Sequence, residues 1–255
     1  MPTPAQIVRS QIMDGRVLSN TALTHRLYSL RIEVQLSPFE AGQFVRLELT
    51  INSERVARPY SLVNAPDHPV AEVFFNTVPD GTLSNALAKL QSGDPVAVSQ
   101  PAAGFFTLNG TPAARDLWLI ATGTGLGPYL SILQTTQLWD RFEHVVLVHG
   151  VPLREELVYQ RLIDTVQSEY PDRFQYIPCV SHEDNPDGFR GRVTDVLDNG
   201  ELELRTGLQI NQSDSAVMLC GNHNMITDVQ TLLAQRGMRK HLRHKPGQII
   251  IEQYF

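Results

Sequence analysis

Three short stretches of this 255-residue chain combine residue types that can hold phosphates and flat aromatic rings. In the first, an apolar run from Leu117 to Ala121 leads into Thr122-Gly123-Thr124-Gly125-Leu126-Gly127-Pro128, and a helical pattern follows. Glycines let the main chain approach a pyrophosphate closely, and the free N–H groups at a helix start favour negative charge. The spacing is Gly-x-Gly-x-Gly-Pro rather than Gly-x-Gly-x-x-Gly, and no acidic residue closes the next apolar run, Val145 to Val148, so the usual dinucleotide fingerprint is not met. No Gly-Lys-Ser or Gly-Lys-Thr follows, which argues against an ATPase phosphate loop. By itself the stretch also reads as a tight strand-to-helix turn with no ligand. The second stretch is Arg58-Pro59-Tyr60-Ser61, placed after a polar turn at the start of a strand: Arg can grip phosphate with two N–H groups, Tyr offers a flat face, and a Ser hydroxyl can reach a ring nitrogen. The third, Val78-Pro79-Asp80-Gly81-Thr82-Leu83-Ser84, turns into a helix and offers a second set of free N–H groups, although by itself simple helix capping accounts for it better.

The elements that must carry these stretches differ between the two parts of the chain. Up to about residue 110, apolar and polar residues alternate, as in Leu30-Arg31-Ile32-Glu33-Val34 and Leu47-Glu48-Leu49-Thr50-Ile51, with shorter runs at Val73 to Phe75 and Val96 to Val98. Such strands bury one face, and their spacing predicts a small antiparallel β-barrel, interrupted by one helix from Ser84 to Leu90. Beyond Asn109-Gly110-Thr111-Pro112, continuous apolar strands (Leu117 to Ala121, Val145 to Val148, Val217 to Leu219) alternate with helical patterns at Tyr129 to Leu138, Glu155 to Gln167 and Ile226 to Arg236. That pattern predicts an α/β unit with a parallel sheet, and domains of 1–110 and 111–255.

Composition narrows the function classes. Lys and Arg number 21 against 27 Asp and Glu, giving a net charge of -6, which argues against binding nucleic acid over the whole surface. Two cysteines, Cys179 and Cys220, cannot build a disulfide framework and suit a reducing compartment. No apolar run reaches the roughly 20 residues of a membrane span, and the first residues do not read as a signal peptide. A soluble cytoplasmic protein is expected.

Taken in order, R-x-Y-S, V-P-D-G-x-L-S, A-T-G-T-G-x-G-P and the Met-Leu-Cys-Gly-Asn of Met218 to Asn222 resemble the ferredoxin-NADP reductase family over essentially the whole chain. His241-Leu242-Arg243-His244-Lys245-Pro246-Gly247 and the terminal Tyr254-Phe255 resemble its bacterial branch. The resemblance implies an FAD-binding barrel domain followed by an NADP(H)-binding domain. Arg58, Pro59, Tyr60 and Ser61 would contact FAD, with Ser61 near the flavin N5. Gly81, Thr82, Leu83 and Ser84 would carry the pyrophosphate. Thr122, which would also lie near the flavin, and Gly123, Thr124, Gly125 and Gly127 would face the nicotinamide nucleotide, with Cys220 and Gly221 beside the nicotinamide. Tyr254 would stack on the isoalloxazine and Phe255 would lie by the adenine, so that Ser61, Cys220 and Tyr254 are the groups nearest the reacting rings. At the basic positions the family uses for NADP, this chain departs with Pro152 and His182 but keeps Arg192, and Arg154 and Arg190 stand close enough to compensate.

The implied activity is hydride transfer between NADPH and FAD and single-electron transfer between FAD and ferredoxin or flavodoxin. Orientation then matters more than a strong acid or base, which fits the lack of a catalytic triad. Lys240, Arg243 and Lys245 form a basic patch in an acidic chain, suited to acidic electron carriers, though a solvated turn would read the same. His241 and His244 have ligand-like spacing but no carboxylate or thiol nearby, so no metal site is expected. Cys179 reads as core. A monomer is expected. The competing readings are an NADH-dependent flavoprotein reductase serving an oxygenase or cytochrome, and a flavin-binding electron-transfer subunit; both commonly carry an iron-sulfur segment, for which two cysteines are too few.

Overall fold

The computed structural model describes residues 11–242 and 244–253. It divides into two units, one ending at Gly104 and the other beginning at Phe105.

The first unit is a single antiparallel sheet. Its strands are β1 (Gln11–Ala22), β2 (Leu27–Glu33), β3 (Phe44–Ile51), β4 (Glu54–Ser61) and β5 (Val70–Asn76), then β6 (Pro95–Gln100) after the short helix α1 (Thr82–Leu87). They lie side by side in the order β4-β3-β6-β1-β2-β5. The sheet curls on itself: Leu62, just past β4, pairs with Val73, and the Val63 amide donates to the Glu72 carbonyl at 2.9 Å. This closure is why the strands alternate, with Leu30, Ile32, Val45, Leu47, Val73 and Val98 filling the interior and polar residues left outside. Helix α1 adds Leu83 and Leu87 to that core. It ends earlier than the sequence predicts, where Asn20 of β1 donates its side-chain amide to the Leu87 and Leu90 carbonyls, each at 2.9 Å.

One expectation is corrected here. Arg58-Pro59-Tyr60-Ser61 does not open a strand but closes β4. The turn before it sits at Asn52 and Ser53, both at left-handed φ (51° and 67°), the geometry a two-residue hairpin demands. Strand β4 therefore begins at Glu54.

The second unit is a parallel sheet with strands β7 (Asp116–Thr122), β8 (His144–Val151), β9 (Phe174–Val180), β10 (Phe189–Arg190), β11 (Ser215–Gly221) and β12 (Ile249–Gln253). The helices are α2 (Gly127–Leu133), α3 (Thr136–Arg141), α4 (Gln160–Glu169), α5 (Val193–Asp198), α6 (Glu201–Thr206) and α7 (His223–Gln235). Sheet order is β10-β9-β8-β7-β11-β12, so successive connections run one way from β7 to β10 and the other way from β11. Strands β7, β8 and β11 are buried along nearly their whole length, which explains their unbroken apolar sequences. Trp118, Ile120, Val146, Val148, Val217 and Leu219 pack with Val196, Leu197, Ile226 and Val229 of α5 and α7.

Two helices differ from expectation. The pattern from Tyr129 to Leu138 forms two helices, because the Gln134 amide and Thr135 hydroxyl turn back onto the Leu130 and Ile132 carbonyls (2.8 and 2.7 Å) and close α2. The stretch from Glu155 starts with a single tight turn, Arg154–Glu156, and α4 begins only at Gln160, after Tyr159 at φ 62°. Among the described residues no helix is long and apolar enough to cross a membrane.

Candidate functional site

In a parallel sheet, ligands bind outside the carboxyl ends of the strands where the strand order reverses. Here the reversal lies between β7 and β11, and both glycine motifs of the second unit stand there. Thr122 ends β7 and Gly221 ends β11; the Thr122 hydroxyl accepts the Asn222 amide at 2.9 Å and ties the two ends together. Asn222 then caps α7, its side-chain oxygen accepting the Asn224 and Met225 amides at 2.8 and 3.4 Å.

The glycines of this corner serve two different ends. A Cβ on Gly125 would stand 2.3 Å from the Cys220 carbonyl oxygen and 2.9 Å from the Gly221 Cα, and one on Gly221 would stand 2.3 Å from the Thr122 hydroxyl. Packing demands both. Gly123, at φ 53°, faces open space instead, with no heavy atom within 4 Å of where a Cβ would be. The side of its main chain where a Cβ would lie is open, as close approach of a bulky anion requires. Thr124 sits in the single turn Gly123–Leu126, and Gly127 continues it into α2, which the Tyr129 hydroxyl anchors at 2.7 Å from the Met218 carbonyl. Cys220 is fully buried on β11. Cys179 is likewise buried, and burial pushes its thiol up to about 12, the behaviour of a core cysteine.

The four basic positions gather along the same edge. Arg154 and His182 follow β8 and β9, Arg190 ends β10, and Arg192 directly precedes α5. The loops they occupy are laced together: the Ser181 and His182 amides donate to the Val151 and Pro152 carbonyls at 3.0 Å, the Gly191 amide donates to the Val180 carbonyl at 2.8 Å, and the Glu183 carboxylate accepts the Arg154 amide. Arg154, His182, Arg190 and Arg192 are exposed, and Arg190 pairs with Asp184 at 2.8 Å.

On the barrel, Arg58 and Pro59 are exposed on β4, Tyr60 is half-buried and Ser61 is buried. Among the described residues, Arg58 donates to the neighbouring Ala57 carbonyl, at 2.8 Å. Tyr60 meets Phe75 edge-on at 5.9 Å; burial pushes its phenol up to about 12, and the nearby Arg58 charge works the other way. In the third motif the Gly81 amide closes a turn onto the Val78 carbonyl at 2.9 Å, and a Cβ on Gly81 would strike the Ser84 hydroxyl and Val78 at 2.4 Å. Thr82 stays exposed while Leu83 and Ser84 are buried. An exposed guanidinium, a flat phenol and a tight turn into a helix form a donor set that fits a flavin dinucleotide, as the open glycine corner fits a nicotinamide dinucleotide. Tyr254, Phe255 and Arg243 lie outside the described residues.

Sequence reasoning passed over one residue of this edge. His149, between Val148 and Gly150 on β8, is fully buried with its Nε2 3.1 Å from the Gly123 carbonyl oxygen. A polar residue inside an otherwise apolar, buried run was the available signal.

Comparisons with known proteins agree with both halves. Residues 14–106 match the oxidoreductase FAD-binding domain model and residues 119–231 the oxidoreductase NAD-binding domain model. The chain is 44% identical to the flavodoxin/ferredoxin–NADP reductase of Escherichia coli, over 95% of this chain and 98% of that protein. It is 33% identical to the ferredoxin–NADP reductase of Pseudomonas aeruginosa, over 96% and 98%. A crystal structure of a ferredoxin NADP+ reductase from Neisseria gonorrhoeae, with bound FAD and NADP, superposes with a TM-score of 0.90 at 30% identity, covering 96% of this chain and 99% of that one. The chain belongs to the flavodoxin/ferredoxin–NADP reductase family.

Proposed function

We propose that the chain is an FAD-dependent oxidoreductase that moves reducing equivalents between NADPH and a ferredoxin or flavodoxin. The observation that carries this reading is the glycine-dependent corner at the β7–β11 reversal, in a chain 44% identical over 95% of its length to a flavodoxin/ferredoxin–NADP reductase. When bound, FAD supplies the conversion between hydride and single-electron chemistry. The chain's own residues bind and orient. Arg58 holds phosphate charge, Tyr60 offers its ring, Ser61 reaches toward the flavin, and the Gly81–Ser84 turn presents main-chain amides to the pyrophosphate. Thr122, Gly123, Thr124 and Gly127 face the nicotinamide nucleotide, while Gly125 and Gly221 let that corner close, and Cys220, buried at the end of β11, lies behind it beside the nicotinamide. Tyr254 and Phe255 cover the flavin in the same reading.

Discrimination for NADPH rests on Arg154, His182, Arg190 and Arg192 at the ends of β8 to β10. One charge-assisted bond to the 2'-phosphate is worth about 1.5 to 3 kcal/mol, or roughly ten- to hundredfold. The electron carrier docks on Lys240, Arg243 and Lys245, and the chain acts as a cytoplasmic monomer. Support for the docking surface comes from a cross-linked basic lobe: the Leu242 amide donates to the Lys245 carbonyl at 3.0 Å, and the Arg239 guanidinium donates to the Pro246 carbonyl at 2.8 Å. Lys240, His244 and Lys245 are exposed on it.

The deciding experiment is steady-state reduction of ferredoxin, flavodoxin and ferricyanide with NADPH and with NADH. NADPH should be preferred about tenfold or more in kcat/KM, and Arg192→Ala should erase most of the preference. Equal kcat/KM for the two nucleotides would refute the preference. Turnover with ferricyanide alone would refute the acceptor class and favour a reductase serving another redox partner.

A further inference from the structure

His149 is the only fully buried histidine among the described residues, and nothing in the proposed hydride chemistry uses it. On β8 it pairs in register with Ala121 of β7 and Pro178 of β9, so its ring stands on the sheet face below the glycine loop. The Gly123 carbonyl has no N–H of its own, so the short contact to His149 Nε2 requires the imidazole to carry its proton there and donate it. Nδ1 is then an acceptor. Facing it at 3.4 Å is the Tyr176 hydroxyl, which must donate. The Tyr176 oxygen in turn accepts the Gln160 amide at 3.4 Å, and the same amide donates to the Leu157 carbonyl at 3.1 Å. Every donor finds an acceptor in one direction, from Gln160 through Tyr176 and His149 to Gly123.

We infer that this relay is a positioning device: His149, oriented by Tyr176 and Gln160, holds the Gly123 carbonyl and fixes the left-handed turn of the glycine loop in the form that receives the nicotinamide nucleotide. The inference rests on the NADP(H) reading of that loop. Gly123 needs such a hold because no packing supplies one on the side where a Cβ would lie. A glycine at φ 53° with open space beside it has many other conformations within reach, and a carbonyl turned inward onto a fixed donor removes them. Burial depresses the imidazole to about 4, against the weaker opposing effect of the Gly123 hydrogen bond, so the ring keeps a single proton across the working range and the relay keeps its sense. The other end of the relay is Gln160, the first residue of α4, just past the loop that carries Arg154. The relay therefore joins the glycine loop to the segment proposed to read the 2'-phosphate.

The test is calorimetric titration with NADP+ of the FAD-loaded protein and of its His149→Leu, His149→Gln and Tyr176→Phe variants. Loss of one hydrogen bond to a loop carbonyl should weaken NADP+ binding by about tenfold in His149→Leu. Gln carries an amide that reaches about as far as Nε2, so His149→Gln should recover most of that loss. Tyr176→Phe, which removes only the group orienting the ring, should weaken binding by about threefold. FAD affinity and the flavin absorption band should stay those of the wild type in all three. Wild-type NADP+ binding in His149→Leu, or equal losses in the Leu and Gln variants, would overturn the inference. If His149→Leu does not fold, unchanged NADP+ binding in Tyr176→Phe overturns it just as well. A wild-type protein that takes up FAD but binds no NADP+ would overturn the reading of the loop itself, before any variant is compared.

Discussion

Strand β4 of the barrel leaves Arg58 and Pro59 in solvent and buries only Ser61 at its end, whereas β7 and β11 of the parallel sheet are buried until their last residues and present chemistry only where they stop. On β4, then, Arg58 and Pro59 are side chains set on a surface that the fold does not need. In the parallel sheet the candidate groups are stretches of main chain whose shape the fold dictates, since Gly125 and Gly221 can be nothing larger without striking Cys220 or Thr122. Binding and stability should separate cleanly on the exposed part of β4 and travel together at the glycine corner of the second unit.

Gly125→Ala tests that coupling most severely. The added methyl meets a carbonyl oxygen at 2.3 Å and a main-chain carbon at 2.9 Å, neither of which can rotate away. Overpacking of this kind costs about 3 kcal/mol at the upper end of its usual range, which for a chain of this size lowers Tm by about 6 to 12 °C. The glycine loop should be displaced with it, so NADP+ affinity should drop about a hundredfold in the same variant. Thermal melts and NADP+ titrations that moved independently would break the comparison.

The next effect is graded by pH and belongs to the second unit alone. His149 has its ordinary value of 6.5 when the chain is unfolded and about 4 when buried. Between those values the unfolded chain binds a proton that the folded chain refuses, so stability falls as pH falls from 6.5 towards 4, by about 1.4 kcal/mol per unit, and levels off below. Above 6.5 the group contributes no slope. The groups facing the ring are the Gly123 carbonyl and Tyr176, whose phenol burial pushes up to about 12, so neither titrates in this window. Denaturant unfolding of the wild type and of His149→Gln from neutral pH to pH 4 should show a shallower acid limb in the variant. Parallel limbs would remove His149 as the cause.

The same contrast governs what could be read from the residues. Buried parallel strands announce themselves as unbroken apolar runs, so β7, β8 and β11 and the glycine corner they carry were legible. Arg58-Pro59-Tyr60-Ser61 was legible as a set of ring and phosphate groups but was set at the wrong end of its strand, because the hairpin turn is formed by Asn52 and Ser53 and the following residues look polar and turn-like. The breaks at Gln134 and Tyr159 escaped because they depend on side chains folding back and on a left-handed residue, neither of which disturbs hydrophobic periodicity. His149 escaped for the opposite reason: one histidine within a buried apolar run carries no spacing signal, and its partners Gly123 and Tyr176 lie 26 and 27 residues away in sequence.

Arg58→Ala is expected to have the smallest effect on the fold and so gives the sharpest view of the barrel side of the contrast. The Arg58 guanidinium donates to the carbonyl of its own neighbour, Ala57, and the side chain is exposed. Its removal leaves no buried group stranded, and exposed substitutions of this sort change stability by less than about 0.5 kcal/mol. Strand pairing survives too, because Arg58 faces Leu47 of β3 through main-chain register alone. If the guanidinium grips a phosphate of FAD, the lost charge-assisted bonds are worth about 1.5 to 3 kcal/mol, a ten- to hundredfold loss of FAD affinity. Arg58→Lys should recover part of it, since an ammonium keeps the charge but not the two-pronged geometry. The measurement is FAD retention on dilution and gel filtration, set beside the melting temperature of the FAD-free protein. An FAD-free Arg58→Ala protein that melts like the FAD-free wild type while losing its yellow colour is the expected result. A variant that keeps its FAD, or that loses stability without its cofactor, would show that the barrel too builds its site from residues the fold requires.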